Sequence, residues 1–128
     1  MNIINSSQIF SHRGANKEAA ENTQSAFDAA LSYTIDGIET DVQLSLDNIN
    51  VLWHDDTLAK IGIPDKHIDD FDFARLQEMI VASHFFAKAS PESFMPLQSF
   101  LDRYRKRCRL YVMKASCLRG KKLKCSKP

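Results

Sequence analysis

The alternation of apolar and polar side chains divides the chain into short strands and amphipathic helices. Gln8-Ile9-Phe10-Ser11 reads as a strand that runs straight into His12-Arg13-Gly14, where Gly14 allows the backbone a tight departure. Asn22 is a good N-cap for a helix from Thr23 to about Tyr33, with Ala26, Phe27, Ala30 and Leu31 on one apolar face. From Ile35 to Ser45 the period changes to two. Ile38, Thr40, Val42 and Leu44 share one face, and Glu39, Asp41, Gln43 and Ser45 share the other. Asp47-Asn48 suits a turn, so Ile49 to Trp53 reads as a further strand, hairpin-paired with its predecessor, that delivers His54-Asp55-Asp56 at its end.

The pattern then weakens. Gly62-Ile63-Pro64-Asp65 is loop, Asp72 is placed to cap a short helix through Phe73, Leu76 and Met79, and Pro91 and Pro96 punctuate another loop. Leu97 to Arg107 regains helical spacing through Leu97, Phe100, Leu101 and Tyr104, with basic residues near the C-terminal end, where the helix dipole favours them. Leu110-Tyr111-Val112 starts one more strand. This order of elements suits an α/β protein with a mostly parallel sheet.

Composition sharpens the picture in two places. At 128 residues and 44% hydrophobic, the chain can bury one ordinary core, and nothing in its charge fraction suggests disorder. Charge, however, is unevenly spread: all 16 acidic residues and 6 of the 17 basic ones lie in 1–102, leaving 11 basic and no acidic residues in 103–128. The chain after Val112 has neither useful periodicity nor a core-facing stripe, so 6–112 is expected to be the folded domain and 113–128 a disordered basic tail. Met1 to Phe10 lacks the pattern of an export signal and no stretch is apolar enough to span a bilayer, so a cytoplasmic protein is expected. Cys108, Cys117 and Cys125 match neither a close-set zinc pair nor a disulfide framework and read as free thiols.

Glu39 and Asp41 carry the first hint of chemistry. Two carboxylates side by side on a strand repel each other, and a hard divalent cation such as Mg²⁺ or Ca²⁺ resolves the conflict. Taken alone, the pair fits a solvated strand face better than a site. His12-Arg13 and His54-Asp55 change that balance, because each histidine stands at a strand end from which it can approach the carboxylates. Together these are ingredients for phosphodiester cleavage: a metal offsets phosphoryl charge, Arg13 grips phosphate, and two imidazoles move protons.

Four ordered segments, Ser11-His12-Arg13-Gly14, Glu21-Asn22-Thr23 with Ala26-Phe27, Gly37-Ile38-Glu39-Thr40-Asp41-Val42 and His54-Asp55-Asp56-Thr57-Leu58, resemble the signature of glycerophosphodiester phosphodiesterases. The likeness is strong over about residues 8–60 and continues weakly through Met95-Pro96-Leu97 and Phe100-Leu101. It implies the N-terminal portion of a (β/α)8 TIM barrel, incomplete here, with the site at the C-terminal ends of the strands. His12 and His54 then resemble the general acid/base pair, Arg13 a phosphate ligand, and Glu39 and Asp41 ligands of Mg²⁺ or Ca²⁺. The implied reaction is hydrolysis of a small-molecule glycerophosphodiester to sn-glycerol 3-phosphate and an alcohol. Asn22 and Thr23 are expected to cap the first helix rather than to touch substrate.

Two departures from that family shape the expectations. Such barrels need roughly 250 residues, about twice this chain, and the family's Glu-x-Lys motif, whose Glu completes the metal site, meets Leu110-Tyr111-Val112-Met113-Lys114, which has no glutamate. A frameshift or early stop in a longer reading frame is the expected origin of the acid-free tail, and little turnover is expected of the chain alone. The competing readings are another barrel phosphodiesterase, of the phospholipase C or sphingomyelinase D kind, and a non-catalytic remnant whose basic tail binds polyanions. Nucleic acid is not the expected partner, and the sequence leaves oligomeric state open.

Overall fold

The computed structural model describes the backbone of residues 2–5 and 8–114 and the side chains of 8–114. Five strands and three α-helices follow one another: β1 (Asn2–Asn5), β2 (Gln8–His12), α1 (Gln24–Ala30), β3 (Gly37–Leu44), β4 (Asn50–Leu52), α2 (Phe73–Gln77), α3 (Leu97–Tyr104) and β5 (Arg109–Lys114). Short 3-10 turns at Ala59–Ile61, Ile68–Asp70 and Ala82–His84 interrupt the stretch between β4 and α3.

β3 is the axis of the sheet. It pairs in parallel with β2 through Gly37 to Glu39 and in parallel with β5 through Gly37 to Val42, and antiparallel with β4 through Val42 to Leu44. A residue has two edges, and Val42 is matched with both Leu52 and Lys114, so β4 and β5 lie on opposite sides of β3. Gly37 to Glu39 are likewise shared between β2 and β5. β2 and β4 therefore occupy the same edge of β3, one climbing and one descending, and they meet end to end beside Glu39 to Val42. Beyond β2, the antiparallel β1 extends the sheet, an element the sequence pattern did not reveal.

The two faces of β3 separate as its period-two pattern requires. Ile38, Thr40 and Val42 are buried, while Glu39, Asp41 and Gln43 are only partly covered. Ile38 and Val42 pack with Leu52, Phe27 of α1, and Phe100 and Tyr104 of α3 in one apolar layer. Phe27 and Phe100 meet at 4.8 Å between ring centroids, and Phe100 and Tyr104 at 5.5 Å. A second core is built from Val51 of β4 and the excursion between β4 and α3: Trp53, Leu58, Ile61, Ile68, Leu76, Val81 and Phe94. The ends of that excursion close on each other, since Val51 bridges Pro96 and the Leu52 N–H donates to the Met95 carbonyl at 2.9 Å. It is a lobe with its own interior. β4 serves both cores by alternation, turning Val51 and Trp53 into the lobe and Leu52 into the helix-backed sheet.

Several local expectations shift. Thr23, not Asn22, is the N-cap of α1: its Oγ1 accepts from Ala26 N and donates to the Ala20 carbonyl. Asn22 instead takes a left-handed φ of 59° and accepts a hydrogen bond from Thr40 Oγ1 at 2.6 Å, tying the loop to β3. α1 stops at Ala30 and α3 at Tyr104, each three residues short of the periodic pattern, because Leu31 to Tyr33 and Arg105 to Arg107 close as turns. Asp72 stands at the N-cap of α2 without bonding through its side chain; Asp47, from the β3–β4 turn, receives Phe73 N–H at 3.0 Å. β5 runs through Met113 and Lys114, two residues past the boundary drawn at 112, and the remainder of the expected tail, with Cys117 and Cys125, lies outside the described residues. Cys108 is a free thiol. Among the described residues, no helix is long and apolar enough to cross a membrane.

Candidate active site

All five residues expected at the site come together where β2 and β4 converge on β3. β2 ends with His12 in register with Glu39, and its backbone continues so that Arg13 N–H donates to the Glu39 carbonyl at 2.6 Å. From the other direction Trp53 N–H donates to the Asp41 carbonyl at 3.1 Å, which sets His54 beside the same stretch. The meeting leaves no room for ordinary backbone. Arg13 adopts φ 62°, a conformation sparsely occupied by residues with a Cβ, and Gly14 follows at φ 84°. A Cβ on Gly14 would lie 2.7 Å from Ala26 of α1, so only glycine permits this departure.

His12 Nε2 stands 3.3 Å from Glu39 Oε1, and Arg13 Nε stands 3.6 Å from Asp41 Oδ2. Arg13 Nη1 donates to both oxygens of Glu21 at 3.3 Å. Arg13 Nε and Asp41 Oδ2 are both buried and neither has a hydrogen-bond partner. An orphaned donor and an orphaned acceptor side by side are rare in a folded interior and mark a place where a ligand or ion takes part. Burial raises the Asp41 carboxyl above the usual range; the nearby basic groups His54, Arg13 and His12 pull against that shift, and Glu39 adds to it. His12 touches the carboxylate pair directly, and His54 acts on Asp41 through its charge.

His54 is oriented from behind. Its Nδ1 is 2.7 Å from Asp55 Oδ1, and Lys60 Nζ is 3.4 Å from Asp55 Oδ2. Burial acts to raise the Asp55 carboxyl, but the hydrogen bond with His54 and the ammonium of Lys60 outweigh it and hold the group below its ordinary range. Asp55 is therefore an anion facing Nδ1, so Nδ1 carries the proton and Nε2 is left as the reactive nitrogen. Lys60 was not anticipated from sequence, since a lone lysine in a loop has no spacing signal. Glu21 was noted only as part of a motif, and its role appears once Arg13 and Lys60 are seen to share it.

No group of three or more His, Cys, Asp or Glu among the described residues is arranged as a complete metal cage. On β5, the residues in register with Glu39 and Asp41 are Tyr111 and Met113, neither acidic. The carboxylate pair is a hard oxygen set in which Asp41 Oδ2 lacks a hydrogen-bond partner. This fits Mg²⁺, which is commonly held by one or two carboxylates, with water and substrate phosphate filling the other positions.

Comparison with known proteins bears on the family and the fold. Residues 12–115 match the model of the glycerophosphoryl diester phosphodiesterase family. The chain is 33% identical over 94 residues to a glycerophosphodiester phosphodiesterase of Caldanaerobacter subterraneus subsp. tengcongensis, covering 73% of this chain and 39% of that protein. The crystal structure of a glycerophosphodiester phosphodiesterase from Agrobacterium tumefaciens str. C58 superposes with a TM-score of 0.80 at 30% identity, over 86% of this chain and 48% of the other. A phosphodiesterase from Oleispira antarctica, in complex with the product sn-glycerol-3-phosphate, superposes with a TM-score of 0.78 at 27% identity, over 86% and 45%. The chain thus spans less than half the length of these relatives, and its strands and helices are a partial α/β portion of their TIM barrel. On its fold and its sequence, the chain belongs to the glycerophosphoryl diester phosphodiesterase family.

Proposed function

We propose that this chain carries the phosphate-gripping and proton-transferring half of a metal-dependent hydrolase of glycerophosphodiesters. One observation carries the reading: β2 and β4 abut on a single edge of β3, so that His12-Arg13 and Trp53-His54 arrive from opposite directions beside Glu39 and Asp41. The Oleispira relative's complex with sn-glycerol-3-phosphate supports the substrate class.

Glu39 and Asp41 would hold a divalent cation, which when bound offsets negative charge on the phosphoryl oxygens. The remaining work falls to the chain. Arg13, clamped by Glu21, presents its unpartnered Nε beside the carboxylates, where a phosphoryl oxygen can accept from it. His54, with its proton fixed on Nδ1 by Asp55, offers Nε2 to an attacking or leaving oxygen. His12 offers the opposite proton transfer, its Nε2 resting on Glu39 until substrate competes for it. Water is the nucleophile, so the product is an open monoester.

The test is binding rather than rate, because the described site has two carboxylates and an open flank at β5. The purified chain should broaden or shift the 31P signal of sn-glycerol 3-phosphate when Mg²⁺ or Ca²⁺ is added, and Arg13→Ala should abolish the effect. Absence of any divalent-dependent interaction would contradict the proposal. Where turnover of glycerophosphocholine is detectable, it should yield the open monoester and vanish in His12→Ala, whereas accumulation of a cyclic phosphate would point to a lyase instead.

A further inference from the structure

A line of alternating charges runs through the site from one end to the other. Asp41 faces Arg13 at 3.6 Å, Arg13 donates to Glu21 at 3.3 Å, and Glu21 Oε2 is 3.5 Å from Lys60 Nζ. Lys60 is 3.4 Å from Asp55, whose other oxygen is 2.7 Å from His54 Nδ1. The line crosses between the two cores. Arg13 and Glu21 belong to the loop between β2 and α1, and Lys60, Asp55 and His54 belong to the lobe.

We propose that Glu21 and Lys60 are positioning residues that lock the phosphate-gripping arginine and the proton-transferring histidine into one register. Neither reaches the carboxylate pair in this structure; each acts through a neighbour. Glu21 is only 12% exposed, so its charge is poorly screened and needs both cations. Its two oxygens both accept from Arg13 Nη1, which leaves Nε turned toward Asp41. Lys60 ties the same carboxylate to Asp55, and its ammonium lies 5.9 Å from the centre of the Phe85 ring, which adds a second restraint on where it sits. Asp55 cannot turn away from His54 without losing Lys60, and Lys60 cannot follow it without losing Glu21. The bridge thus holds the lobe-borne histidine against an arginine of the β2–α1 loop, far from it in sequence. Rigid support of this kind is what keeps catalytic groups within a fraction of an ångström of their working geometry.

This inference rests on the phosphodiesterase reading for its purpose, but its test separates the two. The imidazole 15N shifts of His54 in the labelled chain report which ring nitrogen bears the proton, and they need neither metal nor substrate. Wild type should show the Nδ1-protonated form. Lys60→Met should shift His54 toward a mixture of tautomers, and Lys60→Arg, which keeps the charge, should restore the wild-type pattern. Glu21→Gln should do the same as Lys60→Met but more weakly, since Lys60 retains Asp55. In parallel, loss of one charge-assisted contact behind Arg13 should weaken sn-glycerol 3-phosphate binding by about tenfold in Glu21→Gln. Unchanged His54 tautomers in Lys60→Met, with only a lowered melting temperature, would reduce Lys60 to a structural residue and overturn the proposal. If wild type fails to bind the phosphate at all, the functional reading falls, while the tautomer experiment still decides the bridge.

Discussion

The two cores of this chain are built on different principles. In the helix-backed sheet, Phe27, Ile38, Val42, Phe100 and Tyr104 come from regular elements, and each side chain's direction follows from helical or strand periodicity. In the lobe, Val51 comes from β4, but Trp53, Leu58, Ile61, Ile68, Leu76, Val81 and Phe94 come from 3-10 turns, a five-residue helix and loops, and the chain closes on itself at Val51 and Pro96. The site lies between them. The difference teaches how labour is divided: the sheet fixes Arg13, Glu39 and Asp41 by backbone pairing, and the lobe brings His54 to them as a body that can be loosened separately.

That comparison can be broken by truncating one core at a time. Phe100→Ala should cost about 3–5 kcal/mol, because it removes a fully buried ring that packs at a tilt against both Phe27 and Tyr104. Loss of cooperative unfolding in near-ultraviolet circular dichroism is the expected outcome. Leu76→Ala, at an equally buried lobe position, should cost about 2–5 kcal/mol. Its effect should be local, with faster amide exchange across 50–96 and retained protection in β2, β3 and β5. Equal loss of protection in the sheet would mean one cooperative unit and would remove the distinction. Thr23→Ala, which deletes the cap of α1, should lower stability by about 0.5–2 kcal/mol and leave the lobe untouched.

The smallest effect concerns the seam. Asp47 accepts hydrogen bonds from Ser45 Oγ and from Phe73 N–H, and these hold its carboxyl below the ordinary value. A depressed carboxyl contributes stability that is fully present above the unfolded value of 3.8 and is lost as pH falls through the lower folded value. Asp47→Ala should therefore flatten the acid limb of the stability profile slightly. An unchanged limb would show that the turn and the lobe are not coupled through this side chain.

Much of the helix-backed sheet was legible in the sequence, because strict alternation from Ile38 to Leu44 and helical spacing around Phe27 and Phe100 leave few alternatives. The placement of His12, Arg13, Glu39, Asp41 and His54 was legible for a related reason: each stands at a strand end or on one strand face, and the family motifs fix their order. The lobe was not. Trp53, Leu58, Ile61 and Ile68 follow no single period, so their convergence depends on tertiary closure that no local window contains. β1 escaped notice because a four-residue strand has too few positions to show alternation. Lys60 and Glu21 lie 39 positions apart (60 minus 21) and meet only in the fold.

The central claim is that β2 and β4 converge on one edge of β3 and place both imidazoles around one cation site. Mn²⁺ titration of the labelled chain tests it directly, since a paramagnetic ion broadens only nearby nuclei. The imidazole resonances of His12 and His54 should disappear together at low Mn²⁺ while those of His67 and His84 persist, and Asp41→Asn should abolish the effect. Broadening of one histidine without the other, or equal broadening in Asp41→Asn, would contradict the account.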